Sequence, residues 1–183
     1  MLCASVFALM GLVTDLPFAL GPGTWWEYAE TYTIDLDGVD ASTDERTRFQ
    51  VRRGRRGALY IHQEGGADPV SGPVEIGRDS ARLTPWTGEQ ALPLPLTPGR
   101  DAPSGGEGGV LWTVEGWEEV DVPAGRFRAL RCAWRSYLNV SLLWIAPGVG
   151  VVREEQGTPG RRPEIARVLL RWSGNPRPTR LTH

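Results

Sequence analysis

A chain of 183 residues and 20.1 kDa fills one ordinary domain and is too short for two. Its 23 glycines and 15 prolines are about a fifth of the chain, so turns cut the core into short pieces. That excludes a helical bundle or coiled coil, and no apolar run reaches transmembrane length. With a formal net charge of −2 there is no global basis for nucleic-acid binding.

Leu2 to Val13 is almost wholly apolar and has the length of a signal-peptide core, but nothing basic precedes Arg46. A leader remnant, a short buried segment and an atypical leader all fit. The domain reading is therefore residues 1–15 as signal remnant or apolar N-terminal segment, 16–173 as a single β domain, and 174–183 as a flexible tail. Localisation follows the first of these: periplasm or cell envelope with a leader, cytoplasm without one.

From Trp25 the pattern has period two. Trp26, Tyr28, Tyr32, Ile34 and Leu36 share one face of a long strand, interrupted only by Glu30. Asp37-Gly38 marks a turn, and Arg46 to Arg53 alternates again. Ala58–Gln63 forms the return strand and Gly65–Gly72 a loop. Short strands follow at Val74–Ile76, Ala81–Thr84 and Leu92–Leu96. Pro93, Pro95 and Pro98 push the last of these to a sheet edge. Residues 99–109 (GRDAPSGGEGG) are the most flexible stretch. Strands resume at Val110–Val114, Trp117–Val122, Phe127–Leu138, Ser141–Ile145, Val149–Glu154 and Ile165–Trp172. Ten to twelve short strands joined by tight turns, with no convincing helical period beyond the N-terminal stretch, predict an all-β antiparallel curved sheet, a half-barrel or barrel.

Charge is unevenly spread. Residues 1–45 carry eight acids and no base, and six arginines lie between Arg46 and Arg56. The simplest expectation is a hairpin in which Glu27, Glu30 and Asp35 face Arg48, Arg52 and Arg53, each cross-strand pair adding ~0.2–1 kcal/mol. An anion-binding patch is the competing reading.

Two segments, with a third downstream, resemble a group of small bacterial envelope proteins. Leu16-Pro17 through Trp26-Glu27-Tyr28 is similar to their PL-x-x-G-x-x-W-x-Y opening. Val120-Asp121-Val122-Pro123-Ala124-Gly125-Arg126-Phe127 resembles their VPAG-x-F turn, and Trp144 to Glu154 their W-x-APGVG-x-V-x-x-E strand. Together these span residues 16–154. In VPAG the proline presets a turn and Gly125 supplies a positive φ; in APGVG the glycines allow a bend or a close approach. The resemblance implies a curved antiparallel sheet, related in shape to the half-barrels of bacterial lipoprotein carriers. Those hold acyl chains in an apolar concavity, and this sequence departs from them in showing no obvious covering helices.

Catalytic signals are weak. Glu118 and Glu119 face opposite sides of one strand, no serine sits in a nucleophile-elbow context, and only His62 and His183 could serve a serine triad. Two histidines and the cysteines Cys3 and Cys132 make no zinc spacing; both cysteines read as free, small apolar residues. The expectation is no enzyme activity, no catalytic or metal-binding residue and no cofactor. Trp26, Tyr28, Tyr32, Trp112 and Trp134 instead predict an aromatic inner face for an apolar or lipid-like ligand. The alternative is a packed interior and a structural or protein-interaction domain using an exposed sheet edge. Expected partners are thus a hydrophobic small molecule or lipid, or an envelope protein, with no nucleic acid and no transmembrane span.

Overall fold

Period-two alternation becomes strand throughout the computed structural model, which describes residues 18–36, 39–65, 71–84, 86–87, 91–103 and 111–173. Twelve strands lie among them: β1 (Trp25–Leu36), β2 (Val39–Arg53), β3 (Leu59–Glu64), β4 (Ser71–Ile76), β5 (Ser80–Leu83), β6 (Leu92–Pro93), β7 (Asp101–Pro103), β8 (Leu111–Val122), β9 (Gly125–Arg135), β10 (Val140–Ala146), β11 (Gly150–Gly157) and β12 (Ile165–Trp172). They form one sheet in the order β6-β5-β4-β3-β2-β1-β12-β11-β10-β9-β8-β7. Every ladder is antiparallel. The topology is two six-stranded meanders joined by the β1–β12 ladder. The sheet curls until its edge strands β6 and β7 lie beside each other without a ladder, which makes a nearly closed barrel. No helix among the described residues is long and apolar enough to cross a membrane.

Three local expectations are corrected. The runs at 110–114 and 117–122 are one strand, β8, bent by a register shift between Val114 and Gly116. The stretch at 99–109 contains β7, which pairs with β8 through Asp101, Ala102 and Pro103. The second arm of the first hairpin begins at Val39, not Arg46, because its polar first half still ladders onto β1. The leader expected over 1–15, the Asp37-Gly38 turn and the tail at 174–183 lie outside the described residues.

The acidic and basic strands do form a hairpin, with Glu27 opposite Arg48. The ion pairs are nevertheless arranged differently. Glu27 meets Arg46 at 3.8 Å and Arg171 of β12 at 2.8 Å, while Arg48 lies over the Trp25 ring, 4.6 Å from its centroid. Arg52 turns to Glu64 on β3. Glu30 has the parity of Trp26 and Tyr28, so it points into the barrel, away from these arginines. The side chain of Asp35 is outside those described.

One end of the barrel is closed. Phe18 stacks on Trp86 at 6.3 Å, and Trp86 meets Trp26 edge-on at 5.0 Å. The Trp26 indole donates to the Val149 carbonyl at 2.7 Å. This contact explains the APGVG segment. At Gly150 (φ +111°) a Cβ would stand 3.4 Å from the Trp26 indole nitrogen and 3.4 Å from Phe18. The β8–β9 tip closes the same end: Ala124 N donates to Leu169 O at 3.0 Å, and Phe127 packs on Trp172 at 5.4 Å. The turn itself is a two-residue connection in which Val122 pairs with Gly125, whose φ is +133°.

Candidate functional site

Cross-strand register stacks the inner wall into rows. Toward the other end, called open here because Trp134 and Tyr32 keep part of their surface free there among the described residues, the chain of partners Trp112, Trp134, Ser141, Gln156, Ile165 and Tyr32 runs unbroken over β8, β9, β10, β11, β12 and β1. Three of the five aromatic residues singled out in the sequence therefore lie in a single row. Trp112 is fully buried there, while Trp134 and Tyr32 keep part of their surface free. The other two lie deeper, toward the closed end. Trp26 belongs to the aromatic plug, and Tyr28 meets Phe49 edge-on at 5.4 Å with its hydroxyl donating to the Val151 carbonyl at 2.7 Å. Burial, with the charge of Glu154, raises the Tyr28 phenol well above its ordinary pKa.

The row below is half apolar and half charged. It runs Val114, Cys132, Leu143, Glu154, Arg167 and Glu30. Arg167 donates to Glu154 at 2.9 Å and to Glu30 at 2.6 Å, and both carboxylates are completely buried. Thr47 donates to the second Glu30 oxygen at 2.5 Å, and Gln156 to the second Glu154 oxygen. The Tyr32 hydroxyl also bonds to Glu30, so Tyr32 and Gln156 tie the open row to the charged one. Burial alone would raise Glu30, but the hydrogen bonds from Arg167, Thr47 and Tyr32 and the Arg167 charge hold it below the usual carboxylate range. For Glu154 burial wins over Arg167 and Gln156, and its pKa is raised. Burial and the bond to Glu30 push the Tyr32 phenol up to about 12. Cys132, at the apolar end of this row, is free and buried, its thiol pushed up to about 12 by burial.

Sequence reasoning missed this charged row. Its signal was present: Glu30, Glu154 and Arg167 each share parity with inward-facing apolar neighbours, and charged side chains are almost never fully buried unless paired. Only the Glu30 interruption was visible along one strand, because the register that brings β11 and β12 beside β1 is non-local.

Trp134, Asn139, Val140, Ser141, Gln156, Gly157, Glu164 and Ile165 line a pocket of about 290 Å³ at the open end. Across the wall, on the outer face, Arg131, Arg135, Val140, Leu142 and the 155–163 segment line a groove of about 300 Å³. Val140 borders both. Among the described residues, no group of three or more His, Cys, Asp or Glu side chains is placed to hold a metal ion. His62 Nδ1 lies 2.5 Å from Ser71 Oγ, a cross-strand contact on the outer face.

The barrel matches two solved structures. One is a protein of Bacteroides fragilis, proposed to be exported and described as having a YmcC-like fold; it is 15% identical, with a TM-score of 0.50 over 85% of this chain and 98% of that one. The other is a proposed lipoprotein of Parabacteroides distasonis, 14% identical, with a TM-score of 0.51 over 87% of this chain and 99% of that one. This chain shares their fold. No family model and no curated protein sequence matches it.

Proposed function

We propose that this chain is a non-enzymatic protein of the bacterial envelope that binds an apolar or lipid-like ligand at the open end of its barrel. The observation that carries the reading is the asymmetry of the interior. One end is plugged by Phe18, Trp26 and Trp86, whereas the other leaves Trp134 and Tyr32 partly free, Trp134 bordering a pocket of about 290 Å³. Aromatic walls offer large apolar area at low rotamer cost, and Gln156, Ser141 and Glu164 at the same pocket suit a ligand with a polar end. The two similar structures, one proposed to be exported and one a proposed lipoprotein, support the envelope. An edge-docking domain is the weaker reading. Both edge strands are short, Leu92–Pro93 and Asp101–Pro103, and each carries a proline that cannot donate to an added strand.

A fluorescent fatty-acid analogue tests the proposal. Binding at the open end should quench tryptophan emission saturably at micromolar probe, and Trp134→Ala should weaken it about tenfold. A folded wild-type protein that shows no saturable quenching rules the reading out.

A further inference from the structure

The β9–β10 turn departs from ordinary turn chemistry. Its central positions, where Gly, Asn, Asp or Pro are usual, hold Tyr137 and Leu138, which are 96% and 67% exposed, the two most exposed large hydrophobic residues in the described structure. The turn's backbone is internally satisfied. Ser136 N donates to the Asn139 carbonyl at 2.8 Å, and Ser136 Oγ accepts from Asn139 N at 2.9 Å and from Leu138 N at 3.3 Å. A loop entering lipid must leave few amides without partners, and three amide groups of this tip are already bonded within it.

Cations stand beside the tip. Arg135 ends the strand that leads into it, and the adjoining groove is lined by Arg131, Arg135 and Arg161 over an apolar floor of Val140 and Leu142. Glu115 pairs with Arg131 and Arg135, and Arg153 pairs with Glu155. Arg161 is exposed and has no carboxylate partner among the described residues.

From these features we infer that the Tyr137–Leu138 tip is a membrane-surface anchor: it seats in the interface of an anionic bilayer, with Arg161 at the lipid phosphates. Tyrosine favours the interface, and leucine reaches the acyl boundary. Such docking turns the open end toward the bilayer, because Asn139 and Val140 border both the tip and the pocket. The anchor stands without the ligand reading, since it uses neither Trp134 nor Tyr32 to bind lipid.

Sedimentation of the full chain with vesicles is the test. One set is phosphatidylethanolamine with phosphatidylglycerol, the other phosphatidylcholine alone. The expectation is lipid-dependent binding to the first set at low salt, with a blue shift of tryptophan emission from nearby Trp134. Tyr137→Ser/Leu138→Ser should lower that binding about tenfold with an unchanged melting curve, as both side chains are exposed. Arg161→Ser should lower it about fivefold on the anionic vesicles and leave phosphatidylcholine unaffected. If wild-type protein stays in the supernatant, or the double variant sediments like wild type, the inference fails. The second result would place any lipid affinity elsewhere, the apolar N-terminal residues included. Fatty-acid quenching is read separately, so either proposal can fail alone.

Discussion

Arg167 holds two fully buried carboxylates apart, and the cost of that arrangement sets its pH response. Buried ion pairs are weak evidence for stability, but removing one partner leaves uncompensated charge. Arg167→Met should therefore cost about 3–5 kcal/mol at pH 8, and the loss should shrink toward pH 5 as the orphaned carboxylates take up protons. An equal loss at both pH values, by denaturant unfolding, would show that the charges are not what the arginine serves. The two glutamates have opposite signs. Glu30 has a depressed folded pKa, so its contribution is present above the unfolded carboxylate value and is lost as pH falls through its folded pKa. Glu154 has a raised folded pKa, so its contribution is full below the unfolded value and is lost as pH rises through the folded one. Glu154→Gln should then gain stability relative to wild type as pH is raised from 4 to 8, and Glu30→Gln should lose relative to wild type over the same interval. Melts of both variants across that range check the pair.

Strand-level patterns carry most of what could be read beforehand. Period two along β1, the proline-marked edge at β6 and the VPAG turn are local features, and each becomes the element it implies. The bend in β8 is different. One residue inserted between Val114 and Gly116 shifts the register against β9, and the glycine there signals a break in the pattern without telling a bulge within one strand from a gap between two. Below that bend the hairpin curls over the closed end, so its turn both reverses the chain at Gly125 and ties the tip to β12 through the Ala124–Leu169 bond. At φ +133° a side chain is strained, although a Cβ would meet only Phe127 at an ordinary 3.9 Å. Gly125→Val should accordingly destabilise by ~1–2 kcal/mol or more through backbone strain rather than clash. A loss below about 0.5 kcal/mol, the range of ordinary surface changes, would mean the turn relaxes freely.

Across the whole molecule the barrel is uneven around its circumference. β1, β2 and β8–β12 run for seven to fifteen residues, whereas β5, β6 and β7 have four, two and three. The rows that contain the open site and Arg167 belong to the long-stranded side. That explains why the inward parity of the five aromatic residues was legible but their grouping was not: each shows its parity alone, while the Trp112-to-Tyr32 row exists only once six strands are in register. On the opposite side, β6 and β7 face each other without a ladder, so closure there rests on side chains such as Leu92, buried in the core. Local opening should follow this division, because short ladders can be lost with few buried contacts. Native-state hydrogen exchange should show amides of β1, β10, β11 and β12 exchanging only on global unfolding. Those of β5–β7 should exchange by smaller openings, at least about tenfold faster. Such a seam would open without breaking the Glu30–Arg167–Glu154 row on the far wall. Equal protection in β5–β7 and β12 would mean that the barrel opens only as a whole.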